Sequence, residues 1–176
     1  KETIADVLRI LKEEFEKENG HASKDNKLNK LLEIINEKLK GKNKKVVIFT
    51  AYKDTAEYLF NQFRIRKYEK FAMVSGDENK VCNQTEALKK HETILERFAP
   101  FTKLFKEKNW NDFEYSDEDI TDDKKFEEWQ KYIANTHPNT LEKLNNPIDI
   151  LIATDVLSEG QNLQDADMVI NYDIHW

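Results

Sequence analysis

The central and C-terminal parts of the chain contain short, continuous apolar runs. Residues 46–49, 71–74, 148–153 and 168–172 are rich in β-branched, aliphatic or aromatic side chains and lie between polar segments. A run without polar alternation is typical of a strand that is buried on both faces, as in a parallel sheet. The pattern therefore predicts four buried strands.

Apolar residues at helical spacing lie before and between these runs. They predict helices over residues 4–15, 28–39 and 52–63, and a further helix that is capped by Thr85 and ends at Pro100. Strands that alternate with helices, each strand an apolar run, favour an α/β fold. We expect a three-layer open parallel sheet with flanking crossover helices.

Residues 101–147 interrupt this alternation and form what we call the insert. The insert holds 11 acidic residues, 7 basic residues and 8 of the 19 aromatic residues of the chain. Apolar residues recur in it at helical spacing, namely Phe126, Trp129, Tyr132 and Ile133. We predict a helical subdomain with its own apolar face. Two interpretations remain open: a surface that binds a protein partner, or a decorated loop that packs on its own domain.

The domain organisation follows from these segments. Residues 1–25 are expected to form an N-terminal helix and a turn, and residues 26–176 a single domain that carries the insert. A chain of 176 residues is of ordinary size for one domain. The formal net charge is −6, and the insert contributes most of it.

The composition excludes several classes of site. The chain has only four glycines, all isolated, so neither a Walker phosphate loop nor a dinucleotide fingerprint is present. One cysteine and four dispersed histidines give no disulfide within the chain and no expected metal site. No apolar run approaches the roughly 20 residues that cross a bilayer, so we expect no membrane segment and a cytoplasmic protein.

Hydroxyl and glycine residues follow three of the predicted strands. Thr50 ends the first, Ser75 and Gly76 follow the second, and Thr154 ends the third. Ligands of open α/β sheets bind outside the carboxyl ends of the strands. Hydroxyl and backbone N–H groups at that edge suit phosphate oxygens. Thr50, Ser75 and Thr154 are therefore candidate contacts along one edge to a phosphate backbone, although any one hydroxyl alone is more often a local cap.

The segment after the third strand carries a specific pattern. Residues 150–167 resemble motif V of superfamily 2 helicases, and Ser-Glu-Gly-Gln-Asn-Leu-Gln at 158–164 is similar to the bacterial Swi/Snf-related ATPases. Residues 46–56 resemble motif IV of that family, and residues 168–176 resemble the strand that leads towards its motif VI. The resemblance covers roughly residues 26–100 and 148–176.

The resemblance implies the second, C-terminal RecA-like domain of an ATP-dependent helicase or DNA translocase. By position, Thr154, Thr50 and Gly76 would hold a nucleic-acid strand. The residues that would face ATP across the cleft between two motor domains are Glu159, Gly160, Asn162 and Gln164. ATP and Mg²⁺ would be bound mainly by the first RecA-like domain. The Ser-Glu-Gly form favours duplex DNA as the partner.

The family's motif VI, Q-x-x-G-R-x-x-R, would lie beyond Trp176. We therefore expect a truncated motor domain that contains no catalytic residue and hydrolyses no ATP alone. The alternative hypothesis is a non-enzymatic module, an α/β platform on which the insert binds a protein partner. A small-molecule transferase would explain the sheet but not the Ser-Glu-Gly-Gln-Asn-Leu-Gln segment.

Overall fold

The computed structural model describes residues 25–76, 78–82, 89–115, 119–154, 157 and 161–173. The chain divides into two compact units, residues 1–42 and 43–176. In the first unit, helix α1 (Asn26–Lys40) begins where the Asp25 carboxylate accepts a hydrogen bond from the Leu28 N–H at 3.0 Å. The predicted helix over residues 4–15 lies outside the described residues.

The second unit alternates strands and helices. Its elements are β1 (Val46–Phe49), α2 (Lys53–Ile65), β2 (Phe71–Val74), β3 (Asn79–Val81), α3 (His91–Phe98), a π-helical segment (Phe101–Lys106), α4 (Asp122–Thr136), α5 (Pro138–Asn145), β4 (Ile150–Ala153) and β5 (Met168–Asn171). Within the described ranges, no helix combines the length and the apolar character that crossing a membrane requires.

The four predicted strands are present, with small changes at their ends. Strand β4 begins at Ile150 rather than at 148, because the Ile148 N–H donates to the Arg97 carbonyl at 3.2 Å instead of to a neighbouring strand. Strand β5 ends one residue earlier than predicted. Helix α3 begins at His91, and the predicted cap Thr85 lies outside the described residues.

The strands form one five-stranded sheet in the order β3-β2-β4-β1-β5. Strands β2, β4, β1 and β5 are parallel, and β3 pairs antiparallel with β2. Strand β4 therefore lies between β1 and β2, although it is encoded after both of them. The predicted parallel sheet is confirmed, with the short antiparallel β3 as an unpredicted addition.

Helices cover both faces of the sheet. On one face, the rings of Phe60 and Phe63 in α2 contact Phe71 at centroid distances of 5.0 Å and 5.7 Å. On the other face, α3 packs its apolar side against alternate residues of β1, β2 and β4. Successive side chains of a strand point to opposite faces, so each apolar run supplies both cores. The three-layer α/β fold is thus confirmed.

The insert folds around its own aromatic core. Leu104, Phe105, Trp129 and Ile133 are buried together, and further aromatic side chains pack around them. The Trp129 and Phe126 rings stack at 5.4 Å. The prediction of a helical insert with its own apolar face is confirmed by α4 and α5.

Candidate functional site

Three hydroxyl residues lie side by side at the carboxyl edge of the sheet. The last residues of β2, β4 and β1 are register partners, so Ser75, Thr154 and Thr50 follow one another across three neighbouring strands. The Thr50 N–H donates to the Ala153 carbonyl at 2.9 Å, and the Thr154 N–H donates to the Val74 carbonyl at 3.2 Å. We call Ser75, Thr154 and Thr50 the hydroxyl row. Thr154 occupies its centre.

Two hydroxyls of the row already donate to local carbonyls. Thr50 Oγ1 donates to the Tyr52 carbonyl at 3.1 Å, and Ser75 Oγ donates to the Glu78 carbonyl at 2.8 Å. A hydroxyl has one hydrogen to donate. Thr50 and Ser75 would therefore have to break these bonds before donating to a phosphate.

Thr154 differs from its neighbours in the row. Its hydroxyl forms no hydrogen bond with any residue that the structure describes, and the residue is 7% exposed. The backbone fixes its position on both sides, through the Thr154 N–H bond to Val74 and the Thr50 N–H bond to Ala153. Among the three hydroxyls, Thr154 is the strongest candidate for a ligand contact.

Besides the predicted Gly76, the row has two neighbours that were not selected from the sequence as site groups, namely Tyr52 and the N terminus of α2. The Tyr52 side chain is 68% exposed and directly precedes α2, whose N terminus has no side-chain cap. Uncapped N–H groups at a helix N terminus favour anions, and an exposed aromatic ring can stack on a base. Gly76 is exposed at the neighbouring strand end. The sequence pattern assigned Tyr52 to the apolar series of the helix predicted over residues 52–63, which is why it was not selected as a site residue; in the structure it precedes the helix and is exposed.

The second group of predicted site residues lies on the loop formed by residues 161–167. Asn162 and Gln164 are exposed, whereas Leu163 between them packs against the apolar core on the α3 face. The Ala166 N–H donates to the Leu163 carbonyl at 3.0 Å. The partly buried Leu163 thus anchors the loop, while the amide side chains on either side of it are exposed to solvent. Glu159 and Gly160 lie outside the described residues.

Asp165 anchors the same loop to the start of the insert. Its carboxylate accepts hydrogen bonds from the Phe101 N–H at 2.9 Å, the Thr102 N–H at 2.9 Å and Thr102 Oγ1 at 2.6 Å. Its backbone carbonyl accepts a bond from Asn43 Nδ2 at 2.9 Å. Sequence reasoning missed this residue because its partners lie more than 60 positions away.

Buried charges attach the insert to α3. Glu96 is 2% exposed and pairs with Lys108 and Lys143, which are both insert residues. The neighbouring Arg97 is 1% exposed, and its Nε donates to the Asn146 carbonyl at 2.6 Å. Burial lowers the pKa of Arg97 to about 10, so the guanidinium stays charged at neutral pH.

Residues 124–176 match the family model described as "Helicase conserved C-terminal domain". The matched segment includes α5, β4, Thr154 and the loop 161–167, and it spans just under a third of the chain. The match supports a C-terminal domain of a superfamily 1 or superfamily 2 helicase. The five-stranded, mostly parallel sheet with helices on both faces is consistent with a RecA-like domain of that kind. The comparisons with curated proteins and with solved structures gave no match.

Proposed function

We propose that the chain is the C-terminal motor domain of an ATP-dependent helicase or DNA translocase, similar to the bacterial Swi/Snf-related ATPases. The observation that carries the proposal is the placement of two candidate sites on one continuous segment. Strand β4 ends at Ala153, directly before Thr154 in the centre of the hydroxyl row, and the chain then reaches the exposed amides of Asn162 and Gln164. A motor domain needs such a link between its nucleic-acid and nucleotide contacts.

In this proposal the hydroxyl row binds the backbone of duplex DNA. The Thr154 hydroxyl donates to a phosphate oxygen, and the uncapped N terminus of α2 adds N–H groups near Thr50. Such contacts position a nucleic acid without reading its sequence. Ser75 and Gly76 line the same edge. The negative net charge of the chain does not oppose this role, because the insert carries most of it.

The loop 161–167 contributes one face of the ATP cleft. Exposed carboxamides both donate and accept hydrogen bonds, so Asn162 and Gln164 fit the polar groups of a nucleotide that a second domain also contacts. Glu159 and Gly160 belong to the same face by resemblance. The first RecA-like domain holds most of ATP and Mg²⁺, and ATP hydrolysis supplies the free energy for movement. We expect the 176-residue chain alone to hydrolyse no ATP.

Substitution of Thr154 in the intact protein tests the nucleic-acid role. Thr154→Val keeps the shape but removes the hydroxyl, whereas Thr154→Ser keeps the hydroxyl. We expect Thr154→Val to weaken DNA stimulation of the ATPase by about tenfold, the value of one hydrogen bond to a charged group. Thr154→Ser should retain most of it, and Asn162→Ala should mainly raise the KM for ATP.

Two outcomes would contradict this function. One is DNA-stimulated ATP hydrolysis at the wild-type rate and wild-type KM in both Thr154→Val and Asn162→Ala. The other is ATP turnover by the purified 176-residue chain. Thr136→Val is the matched control, because it removes an exposed hydroxyl whose partners, the Tyr132 carbonyl and His137 Nδ1, both belong to the insert.

The insert gives little support to the alternative of a protein-binding module. Its aromatic residues motivated that hypothesis, but most of them pack against one another in the core of the insert. Of the large hydrophobic side chains described there, Tyr115 is the exposed one, at 39%. The packing favours the interpretation in which the insert is bound to its own domain.

A further inference from the structure

We propose that Asp165 is a positioning residue through which the insert sets the place of the loop 161–167. The insert thereby influences how Asn162 and Gln164 meet ATP. The effect on ATP rests on the proposed function, whereas the effect on the loop does not.

Hydrogen bonds join Asp165 to the start of the insert. Three donors at the start of the insert, the N–H groups of Phe101 and Thr102 and the Thr102 hydroxyl, meet one carboxylate. This resembles the capping of a helix N terminus by an acidic side chain, except that the cap comes from a distant segment. Hydrogen bonds to a charged acceptor are about twice as strong as neutral ones.

Only a few residues of chain separate Asp165 from the exposed amides of Asn162 and Gln164. Gln164 is its direct neighbour, and Asn162 lies two residues before Gln164. The loop is also held by packing of Leu163 and by the bond from Asn43 Nδ2 to the Asp165 carbonyl. A displacement of Asp165 therefore also moves the carboxamides of Asn162 and Gln164, because the few residues between them cannot compensate for the displacement.

A cavity lies beside the start of the loop. A cavity of about 320 Å³ separates Gln161, at the start of the loop, from Lys103 and Glu107 of the insert and from His91 of α3. Gln161 is exposed at this end of the loop. At the other end of the loop, the hydrogen bonds of Asp165 fix the distance between the loop and the insert.

The insert is itself attached to α3. The paired charges of Glu96 with Lys108 and Lys143 hold both the beginning and the end of the insert on α3. The insert is thus a fixed support. A change in its packing, by substitution or by a bound molecule, reaches the loop through Asp165.

Hydrogen exchange of the 176-residue chain tests the positioning directly. Thr102→Val removes one donor to Asp165, and Asp165→Asn alters the acceptor. We expect amides of the loop, including the Ala166 N–H that bonds to Leu163, to exchange about tenfold faster, as for the loss of one charge-assisted bond. Thr136→Val, which removes an insert hydroxyl that bonds to Tyr132 and His137 and not to Asp165, should leave the loop unchanged.

Tryptophan fluorescence separates positioning from unfolding. Trp110 and Trp129 report the core of the insert, and their emission should stay at the wild-type wavelength in Thr102→Val. Loop exchange at the wild-type rate in both Thr102→Val and Asp165→Asn would overturn the proposal. So would faster loop exchange that appears only together with a red-shifted emission.

The intact protein tests the link to ATP. Thr102→Val should raise the KM for ATP about fivefold, at the low end of coupling between sites, while kcat changes less. An unchanged KM with faster loop exchange would overturn the link to ATP. An intact protein without ATPase activity would overturn the proposed function, and the exchange result would still decide whether Asp165 positions the loop.

Discussion

Replacement of Glu96 by glutamine tests how strongly the insert is bound to α3. The Glu96 side chain is 3% exposed and pairs with Lys108 and Lys143, whose side chains are 39% and 24% exposed. Glutamine keeps the size of the side chain but removes the charge. Both ion pairs are lost together, at the beginning and at the end of the insert.

The solvent exposure of Lys108 and Lys143 determines how much stability Glu96→Gln should cost. Breaking a buried ion pair costs about 3–5 kcal/mol when it leaves a charge buried without a partner. Both lysines retain contact with water, so their charges stay partly hydrated after the substitution. We therefore expect Glu96→Gln to lower the free energy of unfolding by about 2 kcal/mol, below that range.

Glu107→Gln is the matched control. Glu107 pairs with Lys103 one helical turn away, and its side chain is 40% exposed. Surface pairs contribute about 0.2–1 kcal/mol, and the Lys103 side chain, which is 14% exposed, places this pair towards the upper end. The same change of charge should therefore cost about half as much or less at position 107 as at position 96.

Urea unfolding, followed by tryptophan fluorescence and by circular dichroism, measures the difference. With an m-value of about 2 kcal/mol/M, Glu96→Gln should move the midpoint by about 1 M. The effect should persist in 1 M salt, because a buried pair is screened less than an exposed one. A shift at position 96 no larger than that at position 107 would refute the reasoning.

Two further substitutions test the backbone and the first helix. Lys67 has a φ of 58°, in the left-handed region that glycine favours. Relief of the roughly 1–2 kcal/mol cost of this conformation, less the roughly 0.5–1 kcal/mol entropy cost of glycine, means that Lys67→Gly should raise the free energy of unfolding by about 0.5–1 kcal/mol in urea titrations. Lys67→Ala should give no such gain, and an equal gain would exclude relief of backbone strain. Asp25→Ala removes the cap of α1 and should destabilise its first turn by about 1 kcal/mol. Faster exchange of the Leu28 amide would report this change, and an unchanged rate would show that the cap contributes little.

The sheet could be predicted from the sequence because its central strands are buried on both faces. Each of β1, β2 and β4 is a continuous apolar run, and burial of both faces leaves no position for a polar residue. Strand β3 was missed because it is not such an apolar run. It holds one apolar residue, Val81, and its pairing with the edge of β2 depends on hydrogen bonds of the backbone.

The candidate site was predictable in part. The hydroxyl row follows from local sequence, since residues that end adjacent parallel strands lie at one edge. The order of the strands, which places Thr154 at the centre, comes from long-range pairing that no local pattern contains. Asp165 and Glu96 are ordinary acidic residues in the sequence. Their roles arise from partners that the tertiary fold brings to them, so no spacing rule could have selected them.

The position of β4 has a consequence for synthesis of the chain. Strands β1 and β2 emerge early but do not pair with each other, because β4 must lie between them. Until residues 150–153 leave the ribosome, both strands have unpaired edges, which favour association with other chains. Early folding of the intervening insert around its own core would shorten the effective loop and lower the entropy cost of bringing β4 into place. The central residue of the hydroxyl row is then the last to arrive, so a nascent chain has no partial version of this site.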